Sequence, residues 1–322
     1  MKRLSFGLAL AVSLATIAGA SDLHLNLQSA GSNVITVGPG ATVNYAILGE
    51  LSDNTSLGLA MFSTTLEWTG GPLTQASAPV SAPMNNFAAP LGFNNPAGFG
   101  GTPVAGKLIQ VGGAQNTIKN TFAPIPTGTV ITNLAQNGSP LVLVTGSFTT
   151  PYQVGTYQLK ATNGRANVIR AGETGTPFWH CDKANSVTFT NLTVHVEAIT
   201  VNQASVSVGA NQSQLMHLAA GPANAGRPYL LLGSYSGATP GTMLSGGLIL
   251  PLNVDGYFVF TRSSGHGAPY LSNSIGFLDG QGHATVTFTP TRRFIGFPII
   301  HAFCVMNPIN FVSEAEPVTV TL

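Results

Sequence analysis

The residues Phe178-Trp179-His180-Cys181-Asp182 set an imidazole, a thiol and a carboxylate side by side. That trio suits a thiolate nucleophile, provided thiol and imidazole come within hydrogen-bonding reach. Neighbours on a strand point to opposite faces, so the pair meets only if a turn reverses it. The spacing therefore favours a segment that buries Trp179 over a catalytic dyad. Gly233-Ser234-Tyr235-Ser236-Gly237 has the outline of a nucleophile elbow. Its central residue is a tyrosine, and the ATPGT that follows reads as a loop where an elbow needs a helix.

Other reactive groups are scattered. His24, His180, His195, His217, His266, His283 and His301 form no H-x-H, H-E-x-x-H or Cys–His zinc spacing. Calcium needs several carboxylates close together, and the acids are dispersed; Glu314 and Glu316 share a face without a third partner nearby. Asn54, Asn137, Asn191 and Asn211 open N-x-S/T triplets, which arise by chance in a chain this rich in Asn, Ser and Thr. Cys181 and Cys304 are the only cysteines. In an exported protein they suggest one disulfide, and here it would tie two predicted domains together. Cys304 also lies in the apolar run PIIHAFCVM, which equally suits a buried free thiol. No catalytic, cofactor or metal site is expected.

Aromatic residues are the remaining candidates. Residues 77–105 are rich in Ala, Pro, Asn and Gly, with no strand or helix period, and carry a small repeat, PLGF then PAGF. A structureless stretch of this length covers or binds something. Phe87, Phe93 and Phe99 in it, with Trp179, are the possible ligand-contact aromatics. The alternative is a lid whose rings plug one end of the fold.

Strands must position these residues. The chain is 44% hydrophobic and only 7% charged, far below the usual ~25% charged. Helix-favouring Glu, Lys and Arg are scarce, while Gly, Pro, Ser, Thr and Asn suit strands and turns. Residues 23–29 alternate strictly, Leu23, Leu25 and Leu27 against His24, Asn26 and Gln28, which marks a half-buried strand. Strands are expected near 33–37, 41–50, 57–68, 107–112, 141–149, 155–162, 166–170 and 186–198. In the last, the buried face switches midway, which predicts a bulge or an edge crossing near Asn191. A fresh V-x-V-G opening near Ile199 marks a domain boundary. Further strands are expected near 204–209, 212–219, 228–235, 247–252, 256–262, 275–278, 283–289, 295–306 and 317–322. Asp279-Gly280-Gln281-Gly282 predicts a hairpin turn, and Asp255-Gly256 another turn. The expected fold is all-β: two antiparallel β-sandwich domains of jelly-roll or Ig-like type, residues 21–200 and 201–322, after a signal peptide over 1–20.

That leader, MKRLSFGLALAVSLATIAGA, has a basic start, an apolar run and small residues at Ala18 and Ala20, so cleavage is expected near Ala20. No later stretch is long and apolar enough to be a spanning candidate. The formal net charge is +1, and Lys2 and Arg3 lie in the leader, so the remainder is close to neutral. Such a surface has no field to gather nucleic acid or anionic lipid.

Two resemblances add to this. Over residues 33–198, NVITVGPGATVNYAILGEL, with Val37, Gly40 and Val43, leads to the strand ending at Trp68, and GSFTTPYQVGTYQLKATNGRANVI follows later. This pattern resembles cohesin-like domains, which are jelly-roll sandwiches, some of which bind dockerin modules. No recognition motif aligns, and the 77–105 stretch departs from the pattern, so no partner-binding residue carries over. The segments GRPYLLLGSYSGATPGT, LILPLNVDGYFVFT, GFLDGQGHATVTF and IIHAFCVMNP resemble a β-sandwich module of unknown function in secreted proteins of planctomycete-type bacteria. That resemblance implies a bacterial envelope or extracellular location. The function expected is that of a secreted or cell-surface non-enzymatic protein, structural or adhesive, contacting another envelope protein. The alternatives are a carbohydrate-binding module that uses the loop aromatics on a glycan, and a hydrolase with a non-local site.

Overall fold

The computed structural model describes residues 20–73, 80, 84, 100–115, 117, 130–175, 179–263 and 270–322. Strands dominate them, as the composition predicts, and they build two cores that follow one another along the chain.

The first core lies between a four-stranded and a seven-stranded sheet. Leu23, Leu25 and Leu27 from one sheet meet Phe62, Leu66, Leu159 and Val194 from the other. The alternation at 23–28 is realised in full, with every second side chain buried. The expected crossing at Asn191 is also found. Val187–Thr190 runs beside Leu23–Gln28 in one sheet, and Leu192–Val196 pairs with Gly155–Ile169 in the other. Asn191 breaks the strand, and its side-chain oxygen accepts a hydrogen bond from Ala161 N at 3.3 Å. The two strands expected at 155–162 and 166–170 are one strand, Gly155–Ile169, with irregular register against Leu59–Trp68. Within the segment read as a structureless loop, Gly100–Val104 is a strand paired with Lys107–Ala114.

The second core lies between a four-stranded and a six-stranded sheet. Met216, Leu218, Val286 and Phe288 meet Leu231, Phe303, Val305 and Val318. The six-stranded sheet is covered on its other face as well: Leu232, Ala302 and Cys304 pack against Leu250, Leu252 and Phe258. This explains the near-continuous burial of Ile299–Val305, since a strand buried on both faces loses its alternation.

Three expectations are corrected. Residues 256–262 are not a strand but the helix Gly256–Ser263. The Asp279–Gly282 turn closes, with Gly282 N donating to Asp279 O at 3.0 Å. Its flanks do not form a hairpin, because Ile275–Phe277 pairs with Pro228–Ser234 and His283–Phe288 with Gln214–Ala219, in different sheets. Pairing is not antiparallel throughout. Leu23–Gln28 with Val187–Thr190, Val34–Val37 with Leu192–Val196, and Ser205–Ser207 with Glu316–Thr321 are parallel. Each of these pairs joins the start of a core to its end, and the intervening strands supply the long crossover that parallel pairing requires. Among the described residues no helix is long and apolar enough to cross a membrane.

Candidate functional site

The residues singled out for chemistry do not assemble into a reactive centre. His180 Nδ1 lies 2.9 Å from Glu173 Oε2, and the Cys181 thiol makes its contact, at 3.7 Å, with Trp179 O. Burial pushes the Cys181 thiol up from its ordinary value, which opposes thiolate formation. Cys181 and Cys304 are both free thiols, one half-buried and the other buried. Trp179 is half-buried, with its backbone N–H donating to Thr117 O at 3.1 Å. Phe87, Phe93 and Phe99 lie outside the described residues. Among the described residues no group of three or more His, Cys, Asp or Glu is placed to hold a metal ion.

A cleft of about 480 Å³ does form in the second core, where none was expected from sequence. It opens between the turn after strand Pro228–Ser234, the helix Gly256–Ser263 and the segment 293–299. Its walls include Tyr235, Phe260, Tyr270, Arg293, Phe294 and Phe297.

Asp255 builds this site. It stands immediately before the helix, and Oδ1 accepts from Tyr257 N at 2.9 Å and Phe258 N at 2.8 Å, which are otherwise unpaired donors of the first turn. Oδ2 accepts from Tyr235 N, Ser236 N, Ser234 Oγ and Ser236 Oγ at 2.7–2.9 Å. One carboxylate thus fixes the helix start and the Tyr235 turn to each other. Burial pushes the Asp255 pKa up, and the hydrogen bonds from Phe258, Ser234, Ser236 and Tyr235 outweigh it and leave the group below its ordinary value.

Gly233 lets the helix seat. A Cβ there would lie 2.1 Å from Cε1 of Tyr257, so the tyrosine ring packs directly against the Gly233 backbone. Gly233 N donates to Thr261 Oγ1 at 3.1 Å, one helical turn further on. Below the cleft the rings continue as a chain of tilted and edge-to-face contacts. Tyr270 and Phe294 have centroids 5.0 Å apart, Tyr257 and Phe294 5.3 Å, and Phe288 and His301 4.8 Å. At the rim Tyr235 and Phe297 form a pair with centroids 5.6 Å apart and planes at 52°. These two rings are 37% and 49% exposed, so the rim presents aromatic surface to solvent.

Ser234, Asp255 and His301 stand close together here, yet they are not wired as a triad. Ser234 Oγ donates to Asp255, and His301 Nε2 faces the Tyr257 hydroxyl at 3.0 Å. Nucleophilic catalysis needs the imidazole against the serine and the carboxylate behind the imidazole. What the arrangement can do is bind: a rigid aromatic floor, two exposed rings and one guanidinium. The signal for it in the sequence is the run Arg292-Arg293-Phe294-Ile295-Gly296-Phe297, which interleaves cations and rings next to turn glycine.

No protein-family model matches the chain, and no curated protein matches its sequence. Solved structures similar to it include the sixth cohesin of scaffoldin B from Acetivibrio cellulolyticus, solved in complex with a Cel5 dockerin. That match has 15% identity, covers 55% of this chain and 99% of that one, and has a TM-score of 0.34. A non-cellulosomal cohesin from Archaeoglobus fulgidus is 10% identical over 54% of this chain and 91% of that one, with a TM-score of 0.29. A C-terminal fragment of the major pilin GBS80 of Streptococcus agalactiae is 10% identical over 93% of this chain and 91% of that one, with a TM-score of 0.27. Cohesins, the family named for residues 33–198, are among the solved structures similar to the chain. With such low TM-scores, the architecture above rests on the chain's own strand pairings.

Proposed function

We propose that this chain is an exported, non-enzymatic β-sandwich protein of the cell surface or extracellular space, structural or adhesive, and that it makes its contact through the aromatic cleft, on a glycan. In this reading residues 1–20 are a cleaved leader, and 21–200 and 201–322 are two modules. The observation that carries the reading is the Tyr235–Phe297 pair on the cleft rim. Ring faces carry negative quadrupole charge, and the C–H faces of a sugar ring are weakly positive and flat. The cleft volume of about 480 Å³ falls within the ~300–1,000 Å³ of ordinary ligand sites. The site chemistry supports binding over turnover, because the Ser234 hydroxyl donates to Asp255 and the imidazole faces the Tyr257 hydroxyl instead of the serine. The test is a glycan array with the full chain and with Tyr235→Ala and Phe297→Ala. Hits that both substitutions abolish are expected; hits indifferent to both, or none at all, remove the glycan from the reading.

A protein partner is the second reading, favoured by Met243 and Ile249. They face each other on a two-stranded ribbon and are 75% and 52% exposed. Recovery of one envelope protein by the wild type and not by Met243→Ser/Ile249→Ser is its test.

A further inference from the structure

Resting on the glycan reading, we infer that the saccharide the cleft takes is an acidic one, carrying a carboxylate that Arg293 engages. The inference comes from where the charges of the second core sit. The cations of residues 201–322 are Arg227, Arg262, Arg292 and Arg293, and the acids are Asp255, Asp279, Glu314 and Glu316. Arg227 is committed to structure, donating to Asn224 Oδ1 at 2.5 Å, Asn310 Oδ1 at 2.7 Å and Met306 O at 3.1 Å. Of the other three, Arg293 reaches the cleft. It forms part of the wall with Phe260, Tyr270 and Phe294, while Arg292 precedes it in sequence and Arg262 lies in the last turn of the helix Gly256–Ser263.

Among the described residues none of these three arginines has an ion-pair partner, and no carboxylate lines the cleft. Asp255 adjoins the cleft wall without lining it, and its oxygens are taken by the N–H and O–H donors named above. Glu314 faces away, onto Ala198 N and Ile199 N. Asp279 lines a different groove, beside His217 and His283. In a chain only 7% charged, the one charged side chain among the described residues that lines this aromatic cleft is a cation. A guanidinium presents a planar fork of donors that matches a carboxylate in two parallel hydrogen bonds. Rings that stack on a sugar face and a fork at the rim together recognise a uronic acid, where a neutral sugar would use the rings alone.

Isothermal titration calorimetry on the full chain tests this, with galacturonate, glucuronate and mannuronate tetramers and the methyl ester of each. The ester keeps the shape and removes the charge. The expected result is that at least one acid tetramer binds ten-fold or more tighter than its ester. Arg293→Gln should erase that preference, leaving acid and ester equal, and Arg293→Lys should restore part of it. Arg293 is exposed, so an unchanged melting temperature shows that these variants are folded. Acid and ester bound equally by the wild type would overturn the charge inference and leave the glycan reading standing. No binding of any tetramer or ester by the wild type, together with an empty glycan array, would overturn both.

Discussion

The Tyr257 hydroxyl lies 3.0 Å from Nε2 of His301, beneath the aromatic cleft and sealed from solvent. His301 is 0% exposed, and its Nδ1 has no hydrogen-bond partner. Charging this imidazole means desolvating a cation among rings, so burial pushes its pKa down to about 3. The unfolded chain binds this proton from pH ~6.5 downwards, while the folded protein refuses it until about 3. Stability from this group is therefore whole above pH ~6.5 and is lost as pH falls, by up to about 5 kcal/mol at the acid end. In thermal melts at pH 7, 5.5 and 4, Tyr257→Phe/His301→Leu should lose less of its melting temperature on acidification than the wild type. Parallel acid profiles would show that His301 is not the proton acceptor.

Asp255 is the hinge of the site's construction. Asp255→Ala removes a helix cap and frees the amides of Tyr235 and Ser236 together. The expected loss is about 2–4 kcal/mol. Asp255→Asn keeps an acceptor for the helix and not for the whole turn, so it should fall between wild type and alanine. Urea denaturation gives the order; Asn equal to wild type would mean the charge is idle. Because the carboxyl is held below its ordinary pKa, its contribution is present at neutral pH and fades as pH drops through the folded value.

The helix that Asp255 starts is also the clearest place where sequence and structure part. Gly256–Ser263 reads GYFVFTRS, aromatic and β-branched residues after an Asp-Gly pair, and every local preference points to a turn and a strand. Tertiary context wins: Asp255 caps the first turn, and the helix buries Tyr257 in one core cluster and Phe258 in another, across the end of a sheet. By contrast Leu23–Gln28 and the crossing at Asn191 were legible, because alternation reports which face is buried. The cleft was not. Its walls come from residues 235, 256–260, 270 and 293–299, and only the packing of distant strands brings them together. The parallel closure of each core is invisible for the same reason, since it joins segments more than a hundred residues apart.

Glu316 carries the opposite pH dependence. Burial, then the charges of Glu197 and Glu314, push its carboxyl up to about 7. Below pH ~4.5 the folded and unfolded chains are both protonated. Between about 4.5 and 7 the folded state holds a proton that the unfolded state has released, so stability falls as pH rises and stays reduced above 7. Glu316→Gln should therefore melt higher than wild type at pH 8 and match it near pH 4. The gain is about 1 kcal/mol, since the group is partly exposed and water screens it. A variant less stable than wild type at pH 8 would show that this carboxylate is compensated by a partner at that pH.

Gly221 lies at the seam between the two cores, where Tyr152 and Pro39 from the first meet the start of the turn Pro222–Asn224. Its φ is +78°, and a Cβ would sit 2.6 Å from Pro39 O and 2.7 Å from Tyr152 Cε1. Gly221→Ala meets two separate penalties, a left-handed backbone and a collision across the seam. Gly226, with φ +70° and nothing within 4 Å of its Cβ position, meets only the first. Each alanine should lose about 1 kcal/mol to backbone strain. Gly221→Ala should lose more, by the cost of moving Tyr152 off the second core. That excess should also open the junction: limited proteolysis between residues 197 and 204 should speed up in Gly221→Ala and not in Gly226→Ala. Equal losses and equal cleavage rates in the two variants would mean that the cores do not lean on each other at this point.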